Sequence, residues 1–277
     1  MELSHRRVIL VVAVAALAVL AGCTGGNGPG TATPANNSTA TPADGQSIEP
    51  VAELDASYLN NNTEAAVEDG GSYTSETAYY LYLNTTRGES ESWANSTQRV
   101  DFESGQGARE AAQTFLGDQP TTTTQSVYTA NGTTYQRLNN SLGVSYDLQT
   151  GDGGTVRPVN LTSFQGNYTF LTSSFAYEAN GTETVDGTTT VRYSSTNLTD
   201  DSYFVSSEDA TVSDASSTLY VDDGVVRRAS ISYNVTATTG SSATDLTISL
   251  TDIGSTTVQE PDWVDDARDS AATETPS

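Results

Sequence analysis

Apolar and polar positions along this chain alternate with three different periods, and each period predicts its own kind of element. From Val8 to Leu20 the chain is almost continuously apolar. That run is too short to span a bilayer comfortably and, with Arg6 and Arg7 before it, reads as the h-region of a signal peptide. Val51, Leu54 and Tyr58 then recur at intervals of three and four, which predicts a helix, and Asn62 is placed to cap a second short helix through Glu68. The period drops to two from Tyr73 to Thr85, where Tyr79, Leu81 and Leu83 share one face and Tyr80 and Tyr82 the other. This predicts a strand partly covered on both sides, with Trp93 to Phe102 as its partner. Gly107 to Leu116 returns to helical spacing, with Ala108, Ala111, Ala112, Phe115 and Leu116 on one face and Gly117 placed to end it.

Further along, Val127-Tyr128 and Thr134-Tyr135 flank Asn131-Gly132 as a hairpin. Residues 141 to 157 are glycine-rich and fit no single period. Leu161, Phe164, Tyr168, Leu171 and Phe175 are spaced for a helix or broken helix, although Gly166 and the neighbouring threonines suit a strand nearly as well. The last third is the clearest. Phe175–Thr184 and Thr188–Ser195 flank Asp186-Gly187, and Asp222-Asp223-Gly224 joins Thr218–Val221 to Val225 onward. Ala229, Ile231, Tyr233 and Val235 alternate with polar residues, and Leu246, Ile248 and Leu250 repeat the pattern. The fold class expected is α+β, mainly antiparallel β: a curled, half-barrel sheet with a few helices covering its concave face.

The segment that sets location is Leu20-Ala21-Gly22-Cys23. A small, apolar approach to a cysteine is what a lipoprotein peptidase requires, and Cys23 is the only cysteine in the chain, so it is the expected lipidation site. Arg6-Arg7-Val8-Ile9-Leu10 resembles a twin-arginine export signal; an ordinary positive n-region is the alternative. The expected division is a signal peptide over 1–22, a lipidated cysteine and disordered tether over 23–47, one domain over 48–265 and a disordered tail over 266–277. Localisation follows: the extracellular face of the cell membrane, anchored through the lipid on Cys23.

Composition narrows the chemistry. The formal charge is −24, with no lysine, and loss of Glu2, Arg6 and Arg7 leaves 34 acids against 9 arginines, or −25. Such a chain is repelled by nucleic acid and anionic lipid. At molar salt the Debye length is about 3 Å and the self-repulsion is largely screened. Acidic excess without lysine resembles proteins of halophilic archaea. The only histidine is His5, so beyond the signal peptide there is no histidine, no lysine and no free thiol. Nucleophile–histidine systems, lysine Schiff bases and His/Cys zinc sites are thereby removed, leaving only carboxylate-only hydrolysis formally open. No catalytic residue, metal or cofactor is expected. The pairs Asp200-Asp201, Asp222-Asp223 and Asp265-Asp266 lack calcium-loop spacing and read as solvated turns.

Twelve of the 16 asparagines begin an Asn-x-Ser/Thr triplet, where composition alone gives about five. Asn84, Asn95, Asn131, Asn180, Asn197 and Asn234 are the glycosylation candidates; Asn36, Asn37, Asn61, Asn139, Asn160 and Asn167 complete the set. Polar strand and turn sequence is the competing explanation at each.

The lipobox, the helix before a long strand, and the ending Leu219-Tyr220-Val221-Asp222-Asp223-Gly224-Val225-Val226-Arg227-Arg228, Leu246–Leu250, Asp252-Ile253-Gly254 and Pro261-Asp262-Trp263 resemble a family of haloarchaeal lipoproteins of uncharacterised function. More distantly they are similar to lipid-carrier lipoproteins of the LolA, LppX and LprG type. That resemblance implies a half-barrel with helices over its concave face, a hydrophobic cavity for an acyl chain, and no catalytic residues. Leu81, Leu83, Leu219, Val221, Ile231, Tyr233, Leu246, Ile248 and Leu250 are the apolar residues that would face a ligand. A filled core uses the same residues. Two functions are therefore carried forward: a surface lipoprotein binding a hydrophobic ligand or lipid, and a structural or adhesion module of the cell envelope binding glycans or surface-layer protein.

Overall fold

The computed structural model describes residues 54–86, 88–116, 119–150, 170–205 and 209–273. Eleven strands form one open antiparallel sheet: β1 Ser72–Thr85, β2 Gly88–Asp101, β3 Gln106–Leu116, β4 Thr121–Ala130, β5 Thr133–Asn140, β6 Gly143–Thr150, β7 Glu178–Val185, β8 Thr188–Ser195, β9 Thr211–Asp222, β10 Val225–Ala237 and β11 Gly240–Thr251. Their spatial order is β6-β5-β4-β3-β2-β1-β11-β10-β9-β8-β7. The chain meanders outward from β1 to one edge, restarts at the other, and returns until β11 pairs with β1. The expected antiparallel α+β class is what the structure has.

Turn chemistry places three of the hairpins. Asn131-Gly132, Asp186-Gly187 and Asp223-Gly224 all have positive φ at both residues, the backbone of tight hairpins that suits the twist of the flanking strands and excludes most side chains. At Gly224 a Cβ would also stand 2.8 Å from the Tyr58 ring, so the turn needs glycine twice over.

Helix α1, Ala56–Gly70, is capped by Asp55, whose carboxylate accepts from the Tyr58 N–H at 2.9 Å, and ends at Gly71 in the left-handed conformation. It is one helix, where the sequence suggests a second start at Asn62. The Asn62 amide instead donates to the Tyr58 carbonyl inside the helix at 2.7 Å. Leu59, Thr63 and Val67 form its buried stripe, and Thr63 Oγ1 accepts from the Val226 N–H at 3.1 Å, tying the helix to β10.

Alternation and register assign every strand residue to one of two faces. The face under α1 carries Tyr73, Val100, Val191, Tyr193, Leu219, Val221, Ile231, Ile248 and Leu250, all buried in the main core. A helical turn at residues 170–174 covers the same face, burying Leu171. A second helix, α2 Trp263–Thr273, lies on the opposite face, where Val264 packs with Tyr128 and Ala130. The two helices thus cover different halves of the sheet from opposite sides.

Three expectations are corrected here, and one stretch that fitted no single period is settled in part. Gly107–Leu116, spaced for a helix, is strand β3, because β2 and β4 supply hydrogen-bond partners along both of its edges. The ambiguous stretch from 141 includes edge strand β6. Phe175 and Tyr177 precede β7 rather than opening it; Phe175 forms only an isolated bridge with Leu198. The tail expected to be disordered from Asp266 remains helical to Thr273, held by burial of Val264 and Ala267 and by Arg268, which bonds Glu260 with both terminal nitrogens at 2.8 Å. Most of the helix expected from Leu161 lies outside the described residues; its end at 170–174 is helical.

A carboxylate-free trough across the central strands

The apolar candidates divide into two groups. Leu219, Val221, Ile231, Ile248 and Leu250 are consumed by core packing, with Tyr233 and Leu246 at the margin. Between the 170–171 turn and Ala229, Ile231, Leu246 and Ile248 there remains only about 10 Å³ of void, room for a single water at most. Leu81 and Leu83 lie elsewhere. They are half-buried on the same face at the far end of β1, beyond α1.

Around them the face changes character. Its floor on β2 and β3 is made of small residues, Ser92, Ala94, Ser96 and Ala111. Tyr79, Leu81 and Leu83 form one wall on β1, and Arg109, Gln113 and Phe115 line it on β3. Arg109 to Phe115 spans six residues of strand, roughly 20 Å. The trough is therefore polar at the Gln98–Arg109 end and apolar at the Phe115–Leu81–Leu83 end.

Its electrostatics are unusual for this chain. Not one aspartate or glutamate lies on this face of β1 through β5, in a protein with 35 acids. The single cation there is Arg109, whose Nε donates to Ser96 Oγ at 3.3 Å. Burial lowers its pKa, the sign expected of a charge removed from water without a counter-charge. Gln98 and Gln113 are each 8% exposed, and the amide nitrogen of each is buried with no hydrogen-bond partner among the described residues. Stranded donors of this kind are rare in native proteins and ask for an acceptor. Beside the trough, burial raises the Tyr79 pKa, with Tyr233 adding to the rise and a hydrogen bond to Thr244 opposing it.

Sequence reasoning missed Arg109, Gln113 and Phe115 because a helical reading of 107–116 takes them off a common strand face. It missed Gln98, although 93–102 read as a strand, because that reading gave it no neighbouring strand bearing Arg109. Read at period two, Arg109, Ala111, Gln113 and Phe115 fall on one face; that alternation was the available signal.

A second concavity lies on the opposite face. The segment from Thr257 to Trp263 crosses β2 to β4 and encloses a groove of about 460 Å³ lined by Arg99, Ala108, Glu110, Ser126, Gln259, Glu260, Asp262 and Trp263. Thr74 and Thr256 share a buried 2.9 Å hydrogen bond just after the chain leaves the end of β11. Among the described residues no three His, Cys, Asp or Glu side chains come together as a metal site.

Of the glycosylation candidates, Asn84, Asn95, Asn131, Asn180 and Asn197 are exposed and Asn234 is half-buried. The Asn180 amide donates to Ser194 Oγ, and that of Asn234 to Asp214 at 3.0 Å. Arg6, Arg7, Cys23, Asn36, Asn37, Asn160 and Asn167 lie outside the described residues. No described helix is long and apolar enough to cross a membrane.

A family model described as "Family of unknown function (DUF7537)" matches residues 8–267. No curated protein matches the chain. Solved structures similar to it include these two. One is a DUF1329 family protein from Desulfovibrio piger, 12% identical over 75% of this chain and 95% of that one, with a TM-score of 0.25. The other, from Vibrio parahaemolyticus, is described as an outer membrane lipoprotein-sorting protein domain; it is 12% identical over 78% of this chain and 99% of that one, with a TM-score of 0.22.

Proposed function

We propose that this chain, which belongs to the DUF7537 family of unknown function, is a lipid-anchored protein on the extracellular face of its cell membrane that binds an amphiphile without catalysis. The observation that carries the reading is the trough: an acid-free strip in a chain of charge −24, with one desolvated guanidinium and the stranded Gln98 amide at one end, the stranded Gln113 amide midway, and half-buried Leu81, Leu83 and Phe115 at the other. Donors without acceptors suit an oxygen-rich, anionic head group, which gains charge-assisted hydrogen bonds from Arg109. The apolar end suits a hydrocarbon tail, at about 25 cal/mol per Å² removed from water. The same polarity disfavours cations and carboxylate-free hydrocarbons, which leave the donors stranded. The anchor is Cys23, the only cysteine, directly behind the apolar run.

The test is solvent extraction of the purified lipoprotein and its Cys23→Ser form, with mass spectrometry of what is released. An amphiphile with an anionic head, recovered in stoichiometric amount from both forms and lost on Arg109→Met, is the expected result. Lipid recovered from the cysteine form alone leaves an anchor without cargo and refutes the reading. The second reading, an envelope module that binds glycans or a surface protein, then takes the lead. The mixed aromatic and polar groove at Trp263 favours it, since about 460 Å³ is within the range of small-ligand sites.

A further inference from the structure

The face turned away from α1 carries an aromatic strip that neither packing nor the trough uses. On β1, Tyr80 stands opposite Trp93 of β2, their ring centroids 4.4 Å apart. Tyr82 is the next residue along the same face. Trp93 is 48% exposed, although a large aromatic ring on a water-facing sheet surface loses the burial that normally repays it. Asparagines of two Asn-x-Thr triplets flank the strip: Asn84, of Asn84-Thr85-Thr86, lies two residues beyond Tyr82, and Asn95, of Asn95-Ser96-Thr97, two residues beyond Trp93. Residues two apart on a strand share a face at a spacing of roughly 7 Å, and both asparagines are exposed. Each triplet is thus preceded, on its own face, by a ring within reach of the first sugar of an attached glycan.

We propose that Asn95, and Asn84 as its counterpart, carry N-linked glycans whose first sugar rings lie on the Tyr80–Trp93 pair and on Tyr82. The inference rests on the export assigned to the N-terminal segment, because the modifying enzyme and its donor act outside the cell. In the transfer, the asparagine Nδ2 forms a bond to the anomeric carbon of a sugar held on a polyprenyl phosphate or pyrophosphate. The amide gives up one proton, and the phosphate carrier leaves with the electron pair of the broken C–O bond. The negative π face of the rings attracts the weakly positive axial C–H groups of a pyranose. Glu91 stands opposite Tyr82 and Asp245 opposite Tyr80 on the same face, and both, after burial, raise the Tyr80 pKa, which places their charge beside the strip. Those carboxylates accept hydrogen bonds from sugar hydroxyls. Against an apolar protein surface they would be buried unpaired, at a cost of several kcal/mol each, and this favours a sugar over a hydrophobic partner.

The full chain is secreted from its own N-terminal segment in a prokaryotic host whose extracellular oligosaccharyltransferase acts on Asn-x-Ser/Thr, and its peptides are examined by mass spectrometry. Thermal midpoints are then measured for the wild type, Trp93→Ala, Asn95→Gln and the double variant. Sugar on Asn95 is expected, and Trp93→Ala should lower the midpoint roughly 2 to 4 °C further in the glycosylated background than in the Asn95→Gln background; Trp93→Phe should restore part of it. Unmodified Asn95 in protein that bears its Cys23 lipid overturns the inference, as do equal shifts in the two backgrounds. A chain without lipid at Cys23 refutes the export on which both proposals stand, whereas a glycan on Asn95 with no extractable amphiphile refutes only the trough.

Discussion

If the trough is built for a ligand, it should cost stability when empty, and Gln113→Leu measures that cost. The Gln113 side chain is 8% exposed and its amide nitrogen has no partner among the described residues. A buried donor without an acceptor costs about 1 to 3 kcal/mol, because its hydration is lost and nothing replaces it. Leucine has nearly the same volume and no polar atom, so the exchange removes the cost without opening a cavity. Taking about 2 kcal/mol, and roughly 2 to 4 °C per kcal/mol for a domain of this size, the midpoint of the substituted protein should rise by roughly 4 to 8 °C. The comparison must be made on delipidated protein, since a ligand at a hundred times its Kd adds about 2.7 kcal/mol to the wild type alone. Gln125→Leu is the control: it is on the same face but half-buried and without a stranded atom, and should move the midpoint by no more than about 2 °C. Thermal unfolding followed by circular dichroism reads all three proteins. A Gln113→Leu variant that melts below the wild type after delipidation would sink the argument, because the amide would then be serving the fold rather than waiting for an acceptor.

Other consequences are equally direct. Leu59 is fully buried between α1 and the sheet, so Leu59→Ala should cost about 2 to 5 kcal/mol in denaturant unfolding; a loss under 1 kcal/mol would mean α1 is not seated as described. Hydrogen bonds from Arg268 hold the Glu260 carboxyl below its usual 4.5. Its folded pKa is depressed, so this stabilisation is present above about pH 4.5 and is lost as pH falls through the folded value. Arg268→Gln should therefore move acid unfolding to higher pH, by little because the pair is two-fifths exposed; coincident acid transitions at low salt would refute the pairing. With a net charge of −24, the melting midpoint should climb between about 0.1 and 1 M salt, as the Debye length shrinks from about 10 to 3 Å. A midpoint indifferent to salt would show that self-repulsion is not limiting.

The candidate site was half legible. Leu81 and Leu83 stand out at period two, and their place on a ligand-facing wall needs only the strand they sit in. The opposite wall was hidden by its own composition. Ala108, Arg109, Glu110, Ala111, Ala112 and Gln113 have good helix propensity, and nothing local contradicts a helix. The same limit hid α2: Val264 and Ala267 form a short apolar stripe whose partner, Tyr128 and Ala130, lies more than 130 residues earlier in the chain.

The sequence by itself determined the hairpins at Asn131-Gly132, Asp186-Gly187 and Asp223-Gly224, the presence of a helix ahead of β1, and the alternation that makes β10 and β11 two-faced. In each case the physics is local: positive φ admits few side chains, and neighbours three, four or two residues apart share a face. Only the tertiary structure decided that 106–116 is a strand, since its N–H and C=O groups find β2 on one side and β4 on the other. It also decided that the two helices cover different halves of opposite faces. That leaves Gln98 beside Arg109, and Gln113 further along the same strip, on a surface without a carboxylate, because register between strands, rather than order along the chain, chooses which side chains meet.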